Sequence, residues 1–231
     1  PDHPHTLASR NNLALAYQDA GELEQAINLF EQTLADRERI LGPDHPHTLA
    51  SRNNLALAYQ DAGELEQAIN LFEQTLADRE RILGPDHPHT LASRNNLALA
   101  YQNSGRLEQA IPLFEQNLAD RERILGPDHP DTLTSRNNLA RAYQDADRLE
   151  QAIDLFEQNL TDSERILGPN HPHTLISRDN LARAYQDAGR LEQAIDLFEQ
   201  TLTDSERILG PNHPWTTLFR NNLARAKEAR N

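Results

Sequence analysis

The sequence predicts an all-α, right-handed superhelical solenoid of antiparallel helix pairs, and three observations carry that expectation. The 42 residues from Pro1 to Gly42 return unchanged from Pro43 to Gly84, return with drift from Pro85, Pro127 and Pro169, and begin again as a half copy at Pro211. A fixed period in this range marks stacked units, none of which can bury its apolar face alone. Each repeat carries two stretches of helical periodicity, and no stretch alternates with period two. One repeat domain therefore spans 1–231, with repeats 1–42, 43–84, 85–126, 127–168 and 169–210 and a capping helix over 211–231.

Within a repeat the elements follow from local chemistry. Asp2-His3-Pro4 reads as a helix start, with Asp2 as the cap and Pro in the first turn, where its missing N–H costs little. The cap position becomes Asn170 and Asn212 in later copies, which preserves the role. The first helix runs from about Pro4 to Asp19, and Leu7, Leu13, Ala14 and Tyr17 fall on one side of it. Ala20-Gly21 breaks the chain, with Gly taking a left-handed conformation. The second helix runs from about Glu22 to Leu41, and Leu23, Ala26, Ile27, Phe30, Leu34 and Leu41 form its buried stripe. Gly42 ends it and Pro43 forbids continuation.

Arg10-x2-Leu13-Ala14-x2-Tyr17 followed by Ala26-x3-Phe30 resembles the tetratricopeptide pattern W-x2-L-G-x2-Y, A-x3-F, P, and does so in every full repeat. Arg10 stands in the Trp place, Ala14 in the Gly place and Glu38 in the place of the helix-ending Pro. Loss of that Pro lets the second helix extend, which accounts for a period of 42 instead of about 34. The N-N-L-A-x-A-Y core and the L-G-P-D-H-P linker are similar to the repeats of kinesin light chain and of bacterial tetratricopeptide signalling proteins. The resemblance implies that the first helices line a concave groove that binds a peptide or a partner domain.

Composition narrows the function. A net charge of −14 lacks the basic footprint that nucleic acid or anionic lipid requires. No apolar run approaches the roughly 18 residues of a membrane span, and these residues show no signal-peptide pattern. Cysteine is absent, so disulfides and thiolate metal sites are excluded. The expected setting is cytoplasmic. Met is also absent and the chain opens inside a motif, so an N-terminus cut from a longer protein is expected. At the other end Lys227, Arg230 and Asn231 replace Tyr, Ala and the turn Gly, as in a natural solvating cap.

Drift separates two kinds of position. Position 28 reads Asn28, Asn70, Pro112, Asp154, Asp196, and Pro112 is expected to kink its helix gently on the outer face, as in the kinesin light chain repeats it resembles. Asp147 replaces the turn glycine of the fourth repeat and tolerates left-handed geometry better than most residues.

The candidate binding face lies opposite the buried stripe of the first helices. One level reads Ala8, Ala50, Ala92, Thr134, Ile176, Leu218. The next holds Asn11, Asn53, Asn95, Asn137, Asp179 and Asn221, beside Asn12, Asn54, Asn96, Asn138, Asn180 and Asn222. Such an amide ladder suits the backbone of an extended peptide. The third level changes from Leu15, Leu57 and Leu99 to Arg141, Arg183 and Arg225. That change suggests a ligand with an apolar portion and an acidic segment; the competing reading neutralises each Arg on its own helix, Arg141 by Asp145 and Arg183 by Asp179 and Asp187. The carboxylate clamp of some chaperone-binding relatives does not carry over, because Leu15 and Leu57 occupy clamp positions.

The His pairs His3/His5, His45/His47, His87/His89 and His171/His173 suggest capping and loop packing over metal binding, since Asp131 breaks the pattern. No paired carboxylates in an apolar setting, phosphate loop or nucleophile motif is present, so neither an enzyme nor a cofactor is expected. The function expected is a protein-interaction scaffold. The alternative is a spacer or an assembly module, a monomer or a weakly self-associating chain. In that alternative Trp215, Leu218 and Phe219 would cover Leu7- and Tyr17-type surface of a neighbour, head to tail.

Overall fold

The computed structural model describes residues 3–230, which form eleven α-helices and no strand. In order these are α1 (Pro4–Asp19), α2 (Leu23–Leu41), α3 (Pro46–Asp61), α4 (Leu65–Leu83), α5 (Pro88–Asn103) and α6 (Leu107–Leu125). They continue as α7 (Pro130–Asp145), α8 (Leu149–Leu167), α9 (Pro172–Asp187), α10 (Leu191–Ile208) and α11 (Pro214–Arg230). Each repeat is one helix pair. The chain clusters into two compact halves that divide between Asn117 and Leu118, inside α6.

In the N-terminal half α1 to α5 pack in sequence, each helix on its neighbours. The core of the first pair joins Ala14 of α1 to Ala26, Phe30 and Leu34 of α2, and Leu55 and Ala58 of α3 close over it. Burying a ring such as Phe30, which is fully covered, contributes about 2–3 kcal/mol. Leu13 departs from the expected stripe. It is 49% exposed, whereas its equivalent Leu55 is 4% exposed, because burial of this position requires a preceding second helix. In the C-terminal half α7 to α11 stack in the same manner, around Phe156, Phe198 and Phe219. Phe219, expected as contact surface for a neighbouring chain, is instead buried within its own.

The turns follow glycine chemistry. Gly21 takes φ +78°, and Glu22 N–H donates to Tyr17 O at 2.8 Å while Gly21 N–H donates to Gln18 O at 2.9 Å, the pairing of a Schellman cap. Asp147 holds the same turn at φ +57°, with Arg148 N–H on Tyr143 O at 2.8 Å. Pro112 is exposed, and α6 continues through it as one helix.

The cap at the start of each first helix is a correction. Asp2 lies outside the described residues, and its equivalents do not cap. The capping residue is the next one, His45 in the second repeat, whose Nδ1 accepts from His47 N–H at 3.2 Å. His87, His129 and His171 repeat this, with Asp131 N–H as the donor in the fourth repeat. Asp44 and Asp128 instead accept from Arg81 and Arg165, near the ends of α4 and α8, and Asn170 accepts from Arg207.

Candidate partner-binding face

The residue before each first-helix asparagine anchors the face. Arg52 is 6% exposed, and its guanidinium spans two second helices. Nη1 reaches Asp78 of α4 at 2.7 Å and Nη2 reaches Glu38 of α2 at 3.2 Å. In the C-terminal half Arg136 does the same with Asp162 at 2.7 Å and Glu122 at 3.1 Å, and Arg178 with Asp204 and Glu164. Charge-assisted bonds let Arg occupy the apolar place of the pattern's Trp, because each terminal nitrogen of the guanidinium meets a carboxylate from a different helix. Asp36 is held below its ordinary range by hydrogen bonds from Arg10 and Arg39. At Asp78 and Asp204 burial pushes upward, but the hydrogen bonds from two arginines outweigh it and the net shift is down. Sequence reasoning missed this clasp; its signal is an Arg, an Asp and a Glu recurring with the repeat at Arg52, Asp78 and Glu80.

A second contact ties first helices to the preceding second helix. Tyr59 Oη donates to Glu31 Oε1 at 2.6 Å, Tyr101 to Glu73, and Tyr185 to Glu157 at 2.5 Å. Burial, then the neighbouring carboxylate, pushes each of these phenols up to about 12. Lys227 takes the tyrosine position in α11 and keeps the contact, with Nζ 2.6 Å from Glu199. The change read from sequence as simple solvation preserves an interhelical bond.

On this framework the expected face residues sit as follows. In the N-terminal half Asn54 Nδ2 donates to Asn11 Oδ1 at 3.2 Å and Asn96 Nδ2 to Asn53 Oδ1 at 3.0 Å. Asn12 and Leu15 are exposed, while Asn95, Leu57 and Leu99 are half-buried. In the C-terminal half Asn180 Nδ2 donates to Asn137 Oδ1 at 2.8 Å, and Asn222 Nδ2 donates to both oxygens of Asp179 at 2.9 and 3.1 Å. Asn138 is half-buried; Asn180 and Asn222 are buried. The amides expected to await a peptide are thus partly spent on one another. Asn53 keeps its Nδ2 donors and Asn54 its Oδ1 acceptor, so a polar row remains, with less capacity than the sequence suggested.

The third level is brought to the surface. Arg141, Arg183 and Arg225 are all exposed. Arg183 leans on Asp179, Nε to Oδ2 at 3.4 Å, and donates to Asn180 Oδ1. Among the described residues Arg141 and Arg225 have no ion-pair partner, so the own-helix neutralisation by Asp145 does not form at Arg141. Asp187 instead accepts from Gln144 Nε2 at 2.5 Å.

The repeat pattern, the helix pairs and their stacking meet in one family. The tetratricopeptide repeat model matches residues 5–81, 53–116, 90–161, 137–205 and 180–231. The chain belongs to the tetratricopeptide repeat family. It is similar, at 38% identity and a TM-score of 0.80, to the nearly identical tetratricopeptide-like repeats of a putative kinesin light chain from Podosopora anserina. That likeness covers 89% of this chain and 97% of the other. BtubC (BKLC) from P. vanneervenii, at 20% identity and a TM-score of 0.74 over 87% of this chain and 80% of its own, shares the fold. No curated protein matches the chain.

Tetratricopeptide arrays of this kind mediate protein–protein interaction or assembly and are typically non-enzymatic. No group of three or more His, Asp or Glu among the described residues is placed to hold a metal ion. No helix among them is long and apolar enough to cross a membrane.

Proposed function

We propose that this tetratricopeptide chain is an interaction scaffold whose first-helix face binds extended protein segments. Leu15, Leu57 and Leu99 would take apolar side chains, and Arg141, Arg183 and Arg225 would take acidic ones. The observation that carries this reading is a contrast among arginines. Arg52, Arg94, Arg136, Arg178 and Arg220 are each engaged by carboxylates of neighbouring helices. Among the described residues, Arg141 and Arg225 stand exposed without one. An arginine with no structural duty on a chain of net charge −14 is a local attractor for carboxylates. Head-to-tail assembly draws less support, since Phe219 is already covered by its own chain.

Titration of Leu- and Glu-rich extended peptides into the wild type and into Arg141→Glu/Arg183→Glu checks this. Reversal of two exposed charges is expected to weaken binding about tenfold or more, with a slower association rate. Unchanged affinity for acidic peptides overturns the acidic assignment.

A further inference from the structure

Two sequence positions meet at each junction between a second helix and the next first helix, and both border one space. At the first three junctions the pair is Arg37 with Ser51, Arg79 with Ser93 and Arg121 with Ser135. Arg37 Nη1 donates to His47 O at 3.0 Å and Ser51 Oγ at 2.7 Å, and Arg79 Nη1 to His89 O at 3.1 Å and Ser93 Oγ at 2.7 Å. Arg121 Nη1 repeats this on Asp131 O at 2.9 Å and Ser135 Oγ at 3.0 Å. At the last junction the pair is Ser205 with Phe219, and the ring of Phe219, 1% exposed, takes up the space. The fourth junction alone carries two small residues, Ser163 and Ser177.

The space there is open. A cavity of about 180 Å³ is lined by Leu133, Asn159, Ser163, Ile166, Ile176 and Ser177, among others. The equivalent cavity beside Arg37 measures about 90 Å³. The groups that hold the guanidinium elsewhere persist: Ser177 Oγ now donates to His173 O at 3.1 Å, and Ser163 Oγ lies 3.4 Å from Ser177 Oγ. Asn159, 4% exposed, presents a buried Oδ1 that accepts no hydrogen bond, as does its equivalent Asn117 at the third junction; at the fourth the open space lies beside it. A buried acceptor without a donor is costly, and it points to a guest that supplies one. Asn137 and Ile176, two further lining residues, belong to the first-helix face, so the cavity belongs to the face proposed for peptides.

We infer that the cavity between α7, α8 and α9 is a specificity pocket for an arginine side chain of the bound segment, supplying in trans the guanidinium that Arg37, Arg79 and Arg121 supply in cis. The inference rests on the peptide-binding reading of the face. The chemistry favours arginine over lysine. A planar fork of N–H donors matches a carbonyl, a hydroxyl and an amide oxygen at once, and guanidinium sheds water more readily than ammonium. The molecule itself places this cation three times on a carbonyl and a hydroxyl, both neutral acceptors.

The probe is N-acetyl-arginine methylamide, with the lysine, citrulline and phenylalanine analogues beside it. Saturable shifts of the Asn159 side-chain amide are read by NMR on the full chain. Arginine is expected to bind at least about tenfold more tightly than the other three, and the response should vanish in Ser163→Arg, which installs the filling of the first three junctions. Ser177→Phe, the filling of the last junction, should abolish it equally and guards against misfolding of the first variant. Equal binding of the phenylalanine analogue, or an arginine response that survives both fillings, overturns the pocket. Because these probes carry no acidic segment, that outcome leaves the acidic-peptide titration with Arg141 and Arg183 to decide the face independently.

Discussion

Asp179 stands where the corresponding positions carry Asn11, Asn53, Asn95, Asn137 and Asn221, and it is 3% exposed. Burial pushes its carboxyl above the ordinary 3.8, and the hydrogen bond from Asn222 and the charge of Arg183 only partly offset this. A carboxyl with a raised folded-state value binds more protons folded than unfolded, so its contribution to stability falls as pH rises from 3.8 through the folded value. Asp179→Asn is therefore expected to raise the melting temperature at neutral pH, while Asn222 keeps an acceptor. The gain should vanish below pH 3.8, where the aspartate is protonated in both states. Thermal melts of both proteins across that range check it. The residue scale was only partly legible in the sequence. The exchange of Asn for Asp is visible at once, but its burial depends on α11 closing over α9, which no local pattern announces. The same holds for Ser163 and Ser177, each unremarkable until the helices bring them within 3.4 Å.

At the scale of elements, helices pair because their apolar stripes match, but register between repeats is fixed by directed bonds. Arg52 binds Glu38 of one repeat and Asp78 of its own, so it selects one rotation of α3 against both second helices. Arg52→Ala is expected to cost about 2–3 kcal/mol, combining the cavity left by a buried side chain with the lost bonds to Glu38 and to Asp78, which keeps Arg81. Denaturant unfolding of the variant measures it. The figure stays at the low end because Glu38 and Asp78 are 43% and 27% exposed and can rehydrate. Helix boundaries were legible almost to the residue, since Pro4, Gly21 and Gly42 are local signals with local causes. The cap was not: Asp and His adjoin in the linker, both can cap, and only the arginine near the end of the second helix, Arg81, shows why Asp44 is otherwise engaged.

At the scale of the whole molecule, the fold was legible because each level agrees: period, stripe, turn and linker all call for stacked helix pairs. The proposed face is read from the first-helix positions, and its chemistry is less legible in sequence. A ladder of asparagines looks the same in sequence whether it awaits a ligand or bonds to itself, and here Asn54, Asn96 and Asn180 each bond the preceding repeat. What the proposal leaves for a partner is the unused amide groups of residues such as Asn53 and Asn54, with Leu57 and Leu99 in one half and the exposed Arg141 and Arg225 in the other. The most direct test is to map a bound acidic peptide by chemical-shift changes across the labelled chain. Changes are expected to concentrate on the first helices, at the side-chain amides of Asn53 and Asn137 and the guanidinium groups of Arg141 and Arg183. Changes confined to the exposed second-helix residues, such as Gln32, Glu73 and Gln158, would contradict a first-helix binding face.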